Sequence, residues 1–551
     1  MGESMKTLKW IGKAIGKYKL KIAFIGVLQG VLSISGVLFA VCLRQVIDYA
    51  IEQKSEAFGR SIVMIVVIVL FQMAVRWIER FMEDDTRAAI ENRLRQRTFG
   101  NILKTEYAKV KEYHTGELMT RITADATVVT DGAVSLLPAL CSMIVRILGV
   151  LFVMKSIEPR FALVFFVGGC LIAVVSFLPR KWQKKAHKQV QEADGASRSF
   201  LQESLDSLLV IRAFGCEEKM ERLSKEQMKE LRRVRRKRSH IMNFFGTGLR
   251  FCIHCGYIFG LTWCGYRLLH GELSAGTLTA LLQLIGQIQA PFVNAGALFP
   301  KYTAMLASAE RLIEFSPNLG SNKEKGNKYT REEVYQELRT IEFRDVTFSY
   351  EDNRIVLKEE SFSVEKGEFV AIIGNSGIGK STIMKLLLSV YEPNEGEIVL
   401  SLNKEDISLS EVPRGMFSYV PQGNGLMSGS IWEVVGFAET AEKVDCEKVK
   451  RACQIACADE FIAELPEGYD TILGEHGHGL SEGQMQRLAV ARAIYSECPI
   501  ILLDEATSAL DAETENRLIT SLKKMTHCTV FLVTHRQNAW ELCDRVLERE
   551  E

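Results

Sequence analysis

The sequence predicts a multi-domain chain: an all-α domain of six membrane-spanning helices, then an α/β domain built around a phosphate-binding loop. Three observations carry this. First, hydrophobic residues make up 47% and charged residues 25% of the 551 residues, while mean hydropathy is only +0.05, so the apolar residues must be gathered rather than spread. Second, the long uncharged runs all lie before residue 301. Third, "GNSGIGKST" lies in the second half, between a strand-like run and a helix-like run.

The membrane half reads as follows. Ile22–Leu43 carries no charge over twenty-two positions, enough to cross a bilayer at 1.5 Å per residue. Phe161–Pro179 and Leu273–Pro300 are uncharged over nineteen and twenty-eight positions. Three weaker segments complete six spans: Ser61–Trp77, with Arg76 near one end; Ala133–Met154, with Arg146 inside; and Phe251–Tyr266. A buried soluble helix is the competing reading of each weaker segment, and their number in so short a stretch argues against it.

Charge in the loops sets the orientation. Six lysines precede the first span, and seventeen Lys or Arg fall within 180–240, including "RRVRRKR". The opposite loops are short and nearly balanced. The positive-inside rule therefore predicts a multi-pass protein of the cell membrane with its N-terminus, both long loops and everything after span six in the cytoplasm. The first apolar run is too long, and lacks a small-residue cleavage site, for a signal peptide. The basic run reads as topology and lipid contact, and zero net charge gives no argument for nucleic acid. Thirteen scattered cysteines make no disulfide framework, and Cys252-x-x-Cys255 has no further metal ligands in its own segment. The long loops read as helical. Two places break the pattern, 112–129 and 201–220, each suited to a short turn helix at a hairpin tip.

The expected division is 1–315 for the membrane domain, 316–338 for a polar linker and 339–551 for the second domain. In the latter, "EFVAIIG" reads as a buried strand running into the glycine loop, and "IMKLLLSV" continues as a helix. Backbone N–H groups of Gly374, Asn375, Ser376, Gly377, Gly379 and Thr382 suit an anionic phosphate at a helix N-terminus. Lys380 is placed to neutralise β/γ-phosphates and the Ser381 hydroxyl to ligate Mg2+. "PIILLDEATSALD" is a second buried strand ending in Asp504, suited to a metal's water shell, and Glu505, suited to polarising an attacking water. A third strand ends in His535, placed to sense a γ-phosphate.

These residues identify the chain as similar to the ABC transporters of the exporter type, with one membrane domain fused to one α/β ATP-binding cassette that carries a helical subdomain. "GNSGIGKST" resembles the Walker A loop, "YVPQ" with Gln422 the Q-loop, "LSEGQ" with Ser481, Gly483 and Gln484 the signature motif, and Asp504-Glu505 the Walker B end. "SALD" resembles the D-loop, His535 the switch histidine, Tyr350 the adenine-stacking aromatic and Glu475 the X-loop acid. In the membrane half, "HTGELMTRITAD" and "FGCEEKM" resemble the regions bearing coupling helices, and "ASAERLIEF" the exit from span six. The middle signature residue is Glu482, where the family commonly has glycine. The family's final strands and helices are represented only by "CDRVLEREE".

The resemblance implies ATP and Mg2+ as cofactors, with Ser381, Gln422 and Asp504 toward the metal and Glu505 and His535 catalytic. It also implies a dimer, homomeric or with a second half-transporter, in which Ser481, Gly483 and Gln484 cap the partner's ATP. ATP binding would close the cassettes and hydrolysis reset them, driving alternating access and export. An ATP-gated sensor of the same fold that moves no cargo is the alternative. The substrate is not legible: Gln72, Arg146, His254, Gln283, Gln287 and Asn294 are scattered, and lipids, hydrophobic drugs and peptides all remain open. Gln283 and Gln287 share a helix face and suit either a cavity or helix packing.

Overall fold

The structure, a computed structural model, describes residues 2–177, 180–316, 329–350, 354–375, 377–413, 415–423, 425–474, 479–525 and 528–549. It divides into two compact units: Met1–Lys104 with Tyr113–Ser316, and Thr105–Glu112 with Pro317–Glu551.

The first unit is helical. It contains α1 (Gly2–Ile15), α2 (Lys19–Ile51) and α3 (Ser55–Lys104). The tip helix α4 (Tyr107–Lys111) is grouped with the second unit, and α5 (Thr115–Thr120) follows back in the first. A π-helical turn over Arg121–Asp125 leads into α6 (Ala126–Ile157). Then come α7 (Pro159–Phe177), α8 (Arg180–Asp206), α9 (Leu208–Ala213), α10 (Glu217–Leu269) and α11 (Ala275–Ile313). The 50 residues of α3 make a rod of roughly 75 Å, more than twice a bilayer's hydrocarbon thickness. It therefore carries both an apolar segment and a charged extension. Among the described residues, helical stretches over Ser4–Ile51, Ser55–Lys104 and Thr115–Ile157 are long and apolar enough to cross a membrane, and Pro159–Gly169 is a shorter apolar stretch.

Small residues let these helices approach closely, as expected where lipid supplies no hydrophobic drive for packing. A Cβ on Gly260 of α10 would lie 2.4 Å from Ile285 of α11, and one on Gly132 of α6 would lie 2.6 Å from Met305. Polar side chains make inter-helix bonds: Gln29 Nε2 donates to Glu79 Oε1 at 2.8 Å, and Ser33 Oγ to the Ser142 carbonyl at 3.3 Å. Gln287 Nε2 donates to the Gly36 carbonyl at 2.8 Å, so this residue packs helices, whereas the Gln283 side-chain oxygen is buried without a hydrogen-bond partner among the described residues. The side chain of Asn294 lies outside the described residues.

At one end of the first unit, "HTGELMTRITAD" meets "ASAERLIEF". The buried Arg121 guanidinium lies between the rings of Tyr113 and Phe315, 4.3 Å and 5.0 Å from their centroids. It donates to Glu117 at 3.0 Å and also to Glu314. Arg311 grips both oxygens of the buried Asp125, with Nε–Oδ2 at 2.8 Å. These ion pairs offset part of the cost of burying the charges, although Arg121 Nε is buried with no hydrogen-bond partner among the described residues.

The expected turn helix in 112–129 is displaced. The short tip helix is α4 at Tyr107–Lys111, while 112–129 spans α5, the π turn and the start of α6. Composition misplaces it because Arg121 and Asp125 look like loop residues and are in fact buried in the network just described. In 201–220 the short helix α9 is present. Within the second unit, the α4 residue Tyr107 packs edge-to-face against Tyr391 at 6.5 Å.

The rest of the second unit opens with α12 (Arg331–Glu337) and two antiparallel strands, β1 (Leu338–Ser349) and β2 (Ile355–Glu365). β3 (Phe369–Gly374) runs into α13 (Lys380–Leu387), followed by β4 (Glu395–Leu402), β5 (Asp406–Ser408) and β6 (Phe417–Val420). β7 (Gly429–Ser430) precedes the helical stretch α14 (Ile431–Val435), α15 (Cys446–Ile455) and α16 (Asp459–Glu464), then β8 (Ile472–Leu473) and α17 (Glu482–Tyr495). β9 (Ile500–Asp504), α18 (Ala512–Lys523), β10 (Thr529–Val533), α19 (Gln537–Glu541) and β11 (Arg545–Arg549) complete it.

One sheet has the order β11-β3-β10-β9-β6, all parallel, and the second is antiparallel, β2-β1-β4-β5. β3, β9 and β10 are almost wholly buried, which is why they read as continuous apolar runs without alternation. Their carboxyl ends lie side by side, since Val533 pairs with both Ile372 and Asp504. That edge is where open α/β sheets bind ligands.

Candidate functional site

The turn from β3 into α13 forms the floor of the site. Gly379 caps α13 at φ +101°, a conformation that strains any side chain, and an added Cβ would also meet Arg549 and Val356 at 2.8 Å. Lys380 is buried and folds back over the loop, donating to the Gly374 and Asn375 carbonyls at 2.8 Å each. Burial pulls its pKa below the usual lysine value. Ser381 Oγ donates to Asp504 Oδ1 at 3.0 Å, and Tyr419 OH donates to Asp504 Oδ2 at 3.1 Å. Burial raises the Asp504 pKa, while these two bonds oppose the rise. The Tyr350 hydroxyl lies 3.1 Å from Thr382 Oγ1.

One residue beyond β9, Glu505 adopts φ +53°, a rare conformation for a non-glycine residue. It turns the carboxylate away from the strand: Gln422 Nε2 donates to one oxygen at 2.9 Å, and His535 Nε2 lies 3.5 Å from the other. A cavity of about 400 Å3 is lined by Tyr350, Gly377, Gly379, Lys380, Ser381, Thr382, Gln422 and Glu505. Thus most of the residues singled out from sequence share one cavity or bond directly to its walls. Ser376 and Glu475 lie outside the described residues.

Ser481, Gly483 and Gln484 are not among the residues lining the cavity. Ser481 is the N-cap of α17, where its hydroxyl accepts from the Gln484 N–H at 3.3 Å and the Gln484 side chain accepts from the Ser481 N–H at 2.8 Å. The Ser-x-x-Gln spacing is thereby a capping box. Glu482 lies exposed in the first turn, a favourable place for a carboxylate beside the helix's positive end. A Cβ on Gly483 would come within 2.9 Å of the Ala509 carbonyl, so glycine admits the "SALD" loop here. Gln486 ties the same elements together, donating to Ser508 Oγ and accepting from the Ala509 N–H, each at 3.0 Å.

Sequence reasoning missed Arg354 and Val356 in the lining and Tyr419 on Asp504. It also missed Arg536, which donates to the Ser508 carbonyl at 2.7 Å and to Glu515 at 3.2 Å. Tyr419 had a signal, standing three residues before Gln422 at the end of a strand. Arg354 and Val356 had none.

Comparison with known proteins gives the family. Residues 22–292 match the family model for the ABC transporter transmembrane region, and 357–508 match that for the ABC transporter. The ATP-dependent lipid A-core flippase of Mannheimia succiniciproducens is 28% identical over 98% of this chain and 92% of its own length. The mitochondrial ATP-binding cassette sub-family B member 10 of Mus musculus is 30% identical over 97% of this chain and 75% of its own. A bacterial Atm1-family ABC exporter solved with ATP bound shares the fold at a TM-score of 0.82 and 21% identity, covering 97% of this chain and 94% of that one. The chain therefore belongs to the ABC transporter family, as an exporter-type half-transporter whose cassette couples ATP hydrolysis to transport.

Proposed function

We propose that two copies of this chain form a membrane exporter in which ATP is held by Lys380 and Ser381 of one copy and capped by Ser481, Gly483 and Gln484 of the other. The observation that carries the reading is the Glu505 carboxylate, held by Gln422 beside His535 in the cavity that contains Lys380. Tyr350 stacks on the adenine, and the loop N–H groups from Gly374 to Thr382 cradle the phosphates. Glu505 accepts a proton from the attacking water, and His535 donates to the γ-phosphate.

Mg2+ would neutralise charge on the β/γ-phosphates, and the Ser381 hydroxyl, Gln422 side-chain oxygen and Asp504 carboxylate are a hard-oxygen set that suits it. The 3.0 Å Ser381–Asp504 bond supports their acting as a unit. ATP favours the closed pair of cassettes because it touches both, and this differential affinity drives alternating access.

The functional division is 1–315 for the spans, six in number, 316–338 for the linker and 339–551 for the cassette. The lysines before span one and the arginines of 232–238 support a cytoplasmic N-terminus and cassette. The lipid A-core flippase among the relatives supports an amphipathic cargo. Inverted membrane vesicles test this. Fluorescent lipids, and separately peptides, should accumulate only with ATP; full ATPase activity with no movement of either class would favour the sensor.

A further inference from the structure

We infer that Arg549 is a positioning residue for ATP: its guanidinium fixes the orientation of the Ile378–Gly379 peptide in the phosphate loop. The inference rests on the nucleotide reading of that loop. β11 lies beside β3, and Arg549 stands opposite Gly374, so the loop starts against this strand. An added Cβ on Gly374 would lie 2.8 Å from the Arg549 carbonyl. The side chain then passes beneath the loop, only 10% exposed, and is not among the residues lining the cavity.

Among the described residues its guanidinium has two hydrogen-bond partners. One is the Ile378 carbonyl. The other is the Glu360 carboxylate on β2, with Nε–Oε1 at 3.1 Å and a second bond through Nη2. Glu360 thus clamps the guanidinium plane, and the remaining nitrogen faces the loop.

The consequence follows from peptide geometry. The Ile378–Gly379 peptide is trans and planar, so its carbonyl and N–H point in opposite directions. With the carbonyl held by Arg549 beneath the loop, the Gly379 N–H is turned to the other side, where Gly377, Gly379 and Lys380 line the cavity. A glycine at φ +101° offers little resistance to flipping this peptide, so an external anchor is needed to keep the donor aimed at phosphate.

The test measures ATP affinity, KM and kcat for the detergent-purified full chain carrying Arg549→Leu, Arg549→Lys, or Arg549→Leu with Glu360→Leu. Removing Arg549 alone strands Glu360, so the single variant should lose thermal stability and the double variant regain it. Affinity should behave otherwise. The expected result is about a tenfold weaker ATP affinity and a matching rise in KM for both leucine variants, with kcat at saturating ATP within about twofold. Arg549→Lys, which keeps the charge and loses the fork, should weaken ATP by roughly threefold and is also the fallback if the single leucine variant does not fold. Recovery of ATP affinity in the double variant, or affinity within twofold of wild type in Arg549→Leu, would overturn the inference. Failure of the wild-type chain to bind ATP would instead remove the nucleotide reading beneath it.

Discussion

Glu505→Gln will abolish turnover while leaving ATP bound. Gln is nearly isosteric and keeps the hydrogen bond with Gln422 that now spans 2.9 Å, so the pocket should not collapse. What disappears is the carboxylate's capacity to accept a proton. General-base contributions run to about 10^2–10^4 in rate, and kcat should fall by that factor. KM should fall or stay level, because no contact to phosphate is lost and the closed state is no longer drained by hydrolysis. The rare φ of +53° gives a control: Glu505→Gly should relieve backbone strain yet lose activity equally, since neither variant has a base. Phosphate release at saturating ATP, with nucleotide retention measured in parallel, reads both quantities. Turnover within about fivefold of wild type in Glu505→Gln would remove Glu505 as the base.

Lys380→Ala should have the second large effect, on binding rather than chemistry. The ammonium now satisfies itself on the Gly374 and Asn375 carbonyls, and burial lowers its pKa. Both observations describe a cation held in the loop below its optimum, which an added phosphate completes. Truncating one partner of a buried charge pair costs about 2–5 kcal/mol, so ATP affinity should fall at least thirtyfold. The variant should keep its melting temperature in the absence of nucleotide, because among the described residues Lys380 donates to the two carbonyls of its own loop, Gly374 and Asn375. Equilibrium binding of a fluorescent ATP analogue, beside a thermal melt, separates these outcomes. An unchanged affinity would show that the loop holds phosphate by backbone alone.

Much of the cassette was legible because its signals are local. The strand that becomes β3, the glycine loop and the first turn of α13 are contiguous, and each leaves a distinct pattern over a few residues. Asp504 and Glu505 were legible for the same reason, at the end of an apolar run that a fully buried parallel strand requires. The contacts that organise these groups were not. Tyr419 reaches Asp504 across eighty-five positions, and Arg549 reaches Ile378 across 171. Such pairs have no periodicity to betray them.

The helical half shows the converse. Its apolar runs announce helices, but α3 runs 50 residues without interruption, and where it turns depends on how far it projects rather than on composition. Hence the tip helix falls at Tyr107–Lys111, ahead of the stretch that polarity suggested. Arg121 and Asp125 look like solvated loop residues and are among the most buried charges in the first unit.

The capping box at Ser481 sharpens the question of dimerisation. Ser-x-x-Gln has a sufficient local reason to exist, so the motif alone does not require a second chain. The decisive measurement is complementation in proteoliposomes. One chain carries Lys380→Ala with an intact signature helix; the other carries Gly483→Asp with an intact phosphate loop. Each alone has no complete composite site and should be inactive. Purified together, mixed dimers regain one site of two, and ATPase activity should return to at most roughly a quarter of wild type. Such recovery is what shared sites require. Inactivity of the mixture, with both chains folded and the wild type active alone, would contradict the account, as would full activity of the Gly483→Asp chain by itself.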